Sequence, residues 1–149
     1  MKSTWYEKKE IGENFERFII KLLGLTKNPN KKGIDTLEGI EIKQDETSLF
    51  SGNLFIETGR NEHNLTSGIY AYQETRFYLM GTYDYYYCFP IRYLKELDKK
   101  TYTETVDGEV ITIQTYRHTQ ISCDTRNAYG YILPLSKIPD KYKFLIKGV

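Results

Sequence analysis

Residues 32 to 45 read KGIDTLEGIEIKQD, and the alternation in this stretch constrains the chain more than any other feature. Side chains in a β-strand point alternately to opposite faces. Glu41 and Lys43 therefore share one face while Ile40 and Ile42 point into a core. With strands at 33–37 and 39–45, a tight hairpin across Glu38 and Gly39 would set Asp35 alongside them. Two carboxylates and an ammonium on one sheet face make a site for a hard cation with a positive charge beside it, the chemistry that phosphodiester hydrolysis needs. The plain alternative is a solvated strand face with a cross-strand ion pair, worth under about 1 kcal/mol.

The flanking residues favour a built site. Upstream, IGENFERFIIKLLGL carries Phe15, Phe18, Ile19, Leu22 and Leu23 at the spacing of an amphipathic helix over 12–24, with Gly24 as its stop. Glu16 lies at the edge of that apolar stripe. Downstream, SGNLFIET reads as a strand over 53–58, with Leu54 and Ile56 on one face and Phe55 and Glu57 on the other. The order is a helix with an acid, a strand with Asp, a strand with Glu-x-Lys, and a strand with a further acid.

In that order the chain resembles the PD-(D/E)xK nuclease superfamily, the restriction-endonuclease-like fold, and within it the small phage and mobile-element members. GNLFIE is similar to the Gly-Asn-x-x-x-Glu strand of those proteins, and SGIYAYQETRFYLMGTYDYYYCF resembles their next helix and strand, with Thr82-Tyr83-Asp84-Tyr85 leading into the latter. PIRYLKEL and YGYILPLSKI look like the usual helix and closing strand. The resemblance spans residues 12 to 138; it departs from the pattern where Gly33-Ile34 replaces the Pro before Asp35, and the interval to Glu41 is short. It implies an α/β (α+β) fold, a mixed central sheet of four or five strands flanked by helices. It also implies Mg²⁺-dependent cleavage of double-stranded DNA, with Mn²⁺ able to substitute. Asp35, Glu41 and the Ile42 carbonyl would bind the metal, Lys43 would position the attacking water and stabilise charge on the phosphate, and Glu16 and Glu57 would be auxiliary acids. The roles that compete are a sequence-specific homing or restriction endonuclease, a Holliday-junction resolvase, and a non-catalytic DNA-binding or assembly module on the same fold.

A chain of 149 residues fits one domain with one core. That domain has a core at about 12–99 and 128–146 and a hairpin insertion at about 101–122. No apolar run approaches the roughly 20 residues of a membrane span, and MKSTWYEKKE lacks the apolar stretch of a secretory signal. Cys88 and Cys123 are too few for a metal knuckle or a disulfide framework, which points to a reducing cytoplasm, at the nucleoid if DNA is the substrate. The net charge of +1 is not that of a non-specific nucleic-acid binder, so any basic contact surface must be local. Lys27, Lys31 and Lys32 crowd the loop before Asp35, either as phosphate holders or as a solvated turn.

The insertion is announced by Asp107-Gly108 between two Thr-rich β-prone runs, the strongest hairpin signal in the chain. Its second arm carries Thr112, Gln114, Tyr116 and His118 on one face and Thr115, Arg117 and Thr119 on the other. A two-stranded ribbon fits a major groove, and Thr112, Gln114 and Arg117 suit base edges, although a Thr-rich ribbon is also what any exposed hairpin looks like. Further expectations are a helix near 66–76, a strand at 83–89 whose tyrosines are buried, stack bases or form a subunit interface, and a helix opened by Pro90. His63 and His118 sit in polar, loop-like contexts, and neither a Gly-x-Ser-x-Gly elbow nor a GxxxxGK loop occurs. Because one site cuts one strand, a double-strand cut calls for a homodimer or a dimer of dimers.

Overall fold

The computed structural model describes residues 5–45, 47–60, 65–123 and 126–146. His63 lies outside the described residues. The first helix, α1 (Trp5–Leu23), begins well before the expected residue 12 and ends where its stop signal stands. Gly24 has φ +66°, and the Leu25 N–H closes on the Ile20 carbonyl at 2.9 Å, the 6→1 bond of a glycine C-cap. Phe15 and Ile19 are fully buried, whereas Leu22 and Leu23 at the helix end stay exposed, so the inward stripe is shorter than its periodicity suggests.

After a loop come β1 (Ile40–Gln44), the single-turn helix α2 (Ser48–Ser51), β2 (Asn53–Arg60) and the two-residue β3 (Leu65–Thr66). The expected helix at 66–76 is reduced to a 3₁₀ turn at Gly68–Tyr70. Ser67, Gly68 and Ile69 are all buried there, and a short turn seals the core where a helix of that length would need a polar face. Next are β4 (Phe77–Gly81), β5 (Tyr85–Pro90) and α3 (Ile91–Lys99), the helix that Pro90 opens. The chain continues through β6 (Thr101–Val106), β7 (Glu109–Gln114), β8 (His118–Cys123), β9 (Arg126–Pro134) and β10 (Lys143–Leu145).

The structure has mixed α and β content, but the single central sheet of the expectation is divided into two. One four-stranded sheet runs β1-β4-β5-β10, with β1 parallel to β4 and the other pairs antiparallel. The second runs β3-β2-β9-β8 and is antiparallel throughout, so the strand carrying Glu57 is not in the sheet that carries Glu41. Leu54, Ile56, Tyr131 and Leu133 of the second sheet pack against Tyr78, Met80, Tyr87 and Phe89 of the first. The opposite face of the first sheet, Ile42 and Leu79, packs on Phe15 and Ile19 of α1. The layers are therefore helix, sheet, sheet. β5 lies inside its sheet; Tyr87 is buried, Tyr86 is half-buried and stacks on the exposed Phe144 at 5.1 Å, and Tyr83 stays exposed.

The hairpin forms at its Asp107-Gly108 turn, both with positive φ, but it is shorter than the expected insertion. β7 stops at Gln114, and the segment that follows belongs to the second sheet, where β8 pairs with β9. His118, expected in a loop, starts β8 and bonds Asp98 of α3 through Nε2 at 2.7 Å. Its Nδ1 faces the Tyr116 carbonyl at 2.9 Å, and the Tyr70 hydroxyl donates to the second Asp98 oxygen at 2.6 Å. One carboxylate thus ties α3, the 3₁₀ turn and the base of β8 together. Replacing Asp98 with Ala strands a phenol and an imidazole, and urea unfolding should show a loss of on the order of 1–3 kcal/mol. An unchanged midpoint would make the tie a surface contact.

Candidate functional site

The site begins at the outer edge of β1, which no strand covers. The expected strand at 33–37 and hairpin across 38–39 do not form; a loop runs past that edge instead and satisfies it with side chains. Thr36, fully buried, accepts the Ile40 N–H on its Oγ1 at 2.9 Å and donates back to the Ile40 carbonyl at 3.1 Å. Two residues on, the Ile42 N–H donates to Asp35 Oδ2 at 2.8 Å. The Asp35 N–H in turn donates to Glu41 Oε1 at 3.2 Å. The loop is itself held by Asn28 N–H on the Asp35 carbonyl and Leu37 N–H on the Thr26 carbonyl, both at 2.9 Å. Gly39, at φ +86°, closes the turn against Arg76, where a Cβ would meet the Arg76 side chain at 2.8 Å.

Asp35 and Glu41 thus meet by a different route from the expected hairpin. N–H and C=O of one strand residue point the same way, as Ile40 shows by bonding Thr36 through both, so the Ile42 carbonyl also faces the edge beside Asp35. Glu41 is only 5% exposed, which removes the solvated-face alternative for this triplet. Burial, the adjoining Asp35 carboxyl and the Asp35 charge push the Glu41 carboxyl up to about 8, while Lys43 pulls it down. Glu16, half-buried on α1, is also raised, first by burial and then by Asp35, with Lys27 and Lys43 opposing. The structure therefore brings Glu16, Asp35, Glu41 and Lys43 into one electrostatic neighbourhood.

Glu57 stands farther off, on the second sheet and paired with Arg60 at 3.5 Å. It shares the field of the site at the Tyr78 hydroxyl, which is raised by burial first and then by Glu57, Glu41 and Asp35. Tyr72 is likewise raised by burial, Glu41 and Asp35. Sequence reasoning missed Tyr72, Tyr78 and Arg60. Tyr72 fell inside a helix that does not form, and Tyr78 lies on β4, between the expected helix at 66–76 and the expected strand at 83–89.

Comparison with protein-family models, with curated proteins and with solved structures finds no match to this chain. The chemistry of the site stands on its own residues. Among the described residues no group of three or more His, Cys, Asp or Glu side chains is arranged to hold a metal ion. Two carboxylates and a backbone carbonyl on one edge are nevertheless hard oxygen donors of the kind that Mg²⁺ and Mn²⁺ accept, those ions usually keeping several waters. A carboxylate pair that must hold a proton to lower its own repulsion is a pair that a dication would suit.

The residues expected to touch DNA divide. Lys31 lines a cleft of about 400 Å³ together with Glu16 and Asp35, and Lys32 lines a second cleft of about 520 Å³ on the other side of the 28–34 loop. Thr112, Gln114 and Arg117 are exposed on and after β7, and among the described residues no hydrogen bond or ion pair joins them to the pocket.

Glu41 gives the fold a pH dependence of definite sign. Its native value lies above the ordinary 4.5, so the native state holds a proton that the unfolded chain has released. This contribution is fully present below about pH 4.5 and is lost as pH rises to about 8, at up to about 1.4 kcal/mol per pH unit. Without divalent ions, Glu41→Gln should flatten that slope and raise the urea midpoint at pH 8 relative to wild type. An identical slope in the two proteins would place the titration elsewhere.

Proposed function

We propose that the chain is a metal-dependent nuclease that hydrolyses phosphodiester bonds of DNA. The observation that carries the reading is the buried Glu41 carboxyl lying against Asp35 at the edge of β1, with Lys43 on the same strand face. A buried carboxyl held against a second carboxylate is costly unless something positive is bound there. Asp35, Glu41 and the Ile42 carbonyl would hold Mg²⁺ or Mn²⁺, which when bound supplies Lewis acidity toward a phosphate oxygen and a water of lowered pKa.

The chain's own residues do the rest. The loop bonds from Asp35 and Thr36 to β1 keep the carboxylates in place before substrate arrives, so little reorganisation is left for the reaction. Lys43 sets an ammonium beside the pair, where it can orient the attacking water and stabilise negative charge growing on the phosphorus-bound oxygens. Glu16 borders the same space with a raised carboxyl, suited to accept a hydrogen bond from that water or to pass a proton. Glu57, across Tyr78, acts on the field rather than on the reacting atoms.

Homing or restriction cleavage of double-stranded DNA by a two-fold dimer, each copy cutting one strand, fits a small chain in which Asp35, Glu41 and Lys43 form one site. The exposed ribbon with Thr112, Gln114 and Arg117 would then supply base contacts, at roughly 1–3 kcal/mol of preference for each contact removed. Supercoiled plasmid and a four-way junction, each incubated with the protein in Mg²⁺ or EDTA, test the reading. Mg²⁺-dependent nicking or linearisation is expected, falling about 100-fold or more in Asp35→Asn, Glu41→Gln and Lys43→Ala, with a smaller loss in Glu16→Ala. DNA binding should survive both acid substitutions, because removing a negative charge beside a phosphate does not weaken attraction. Cleavage confined to the junction would favour a resolvase. Binding without cleavage of either substrate would make the chain a DNA-binding module.

A further inference from the structure

The cleft that holds Glu16 and Asp35 is lined along its length by cations, and their placement is unequal on the two sides of the 28–34 loop. On the α1 side, Lys9, Arg17, Lys27 and Lys31 face Glu13, Glu16 and Asp35. Lys9 and Glu13 pair with each other at 4.0 Å. Two of the three acids, Glu16 and Asp35, belong to the proposed reacting end. On the other side Lys32 and Arg76 are matched by Glu38 and Glu74, leaving no excess of positive charge. Among the described residues Lys27 and Lys31 take part in no ion pair, and Arg17 bonds the neutral Asn14 side chain.

The floor of this cleft is built rather than loose. Asn28 donates to the Ile34 carbonyl at 2.9 Å and accepts the Asn30 N–H at 3.1 Å, and Asn30 accepts the Lys32 N–H at 3.1 Å. These side-chain turns brace the loop, and its Lys27 and Lys31 line the same cleft as Arg17 of α1. Lys27 already acts on Glu16, since its charge opposes the rise that burial and Asp35 impose on that carboxyl. Arg17 is one residue beyond Glu16 on the helix, and the reach from Lys9 to Arg17 is eight residues, or roughly 12 Å at 1.5 Å per residue. That is the length of about three phosphates at 3.4 Å of rise per strand.

We propose that this cleft is the track for the sugar-phosphate backbone of the strand being cut, with Arg17, Lys27 and Lys31 gripping phosphates next to the one at Asp35. The inference rests on the nuclease reading and adds the substrate's path to it. The protein's small net charge is then no obstacle to nucleic-acid binding, because Arg17, Lys27 and Lys31 line the same cleft as the acids that would otherwise repel a phosphate. The contact is to backbone, so it carries no sequence preference of its own.

Fluorescence anisotropy of a labelled 20-base-pair duplex and a 20-nucleotide single strand, in EDTA and over a range of NaCl, tests it. The double variant Arg17→Ala/Lys27→Ala should weaken both complexes about 10-fold or more and lower the salt slope by about 1 to 2. A charge-matched control, Lys137→Ala/Lys141→Ala, should keep the wild-type slope. Far-ultraviolet circular dichroism and urea midpoints of both variants must match wild type, and a further variant, Lys31→Gln, alters one grip without touching the helix. Cleft variants with the slope of wild type overturn the track, and if wild type still cuts DNA in Mg²⁺ the nuclease reading stands without it. A lower slope in a protein that never cuts keeps the track and removes the hydrolytic reading. No binding by wild type to either probe overturns both.

Discussion

The free edge of β1 is closed by two side chains and no strand, and the placement of the acids follows from that closure. Thr36 takes both backbone groups of Ile40, and Asp35 takes the N–H of Ile42. An uncovered edge strand is a template for association, so some cover is expected. Cover by a strand would have turned the loop's polar side chains alternately to the two faces of the sheet. Cover by Thr36 and Asp35 instead aims a carboxylate along the edge, beside the Ile42 carbonyl and within reach of Glu41. The same residue that completes the sheet contributes one of the two carboxyls of the pair.

That double use sets two carboxyls side by side. Burial first, and then the adjoining Asp35 carboxyl, penalises an ionised Glu41. Lys43 alone does not restore balance, because Glu41 still stands at about 8 with the ammonium on the same face. Around this centre the layers are packed: α1 on one face of the sheet through Phe15 and Ile19, and the second sheet on the other through Leu54 and Tyr131. Glu16 is brought to the pocket as a consequence, since it follows Phe15 on the helix and the buried ring fixes the helix rotation.

The parts of this arrangement set by short-range pattern were legible in the sequence. Alternation in GIEIKQ put Ile42 inward and Glu41 beside Lys43, the spacing of Phe15 and Ile19 gave α1, and Asp107-Gly108 gave the β6–β7 turn. What was not legible depended on long-range pairing. Nothing local says that β1 pairs parallel with β4 across more than thirty residues, that β2 joins β9 in a separate sheet, or that His118 bonds Asp98. Residues 33–37 look like a strand because Ile34 and Thr36 alternate, and they are buried as a strand's would be. Their backbone goes instead to the 26–28 segment, a choice that only the tertiary fold makes.

The carboxylate pair is open to a direct thermodynamic measurement. Titration calorimetry with Mn²⁺ at pH 6.5, repeated in buffers of different ionisation enthalpy, reads both binding and the protons that accompany it. If Asp35 and Glu41 take up a dication together, each ion bound should release close to one proton, and the release should fade above about pH 8 and vanish in Glu41→Gln. Binding with no proton release, or a Glu41→Gln protein that binds and releases like wild type, would contradict a metal held by this pair.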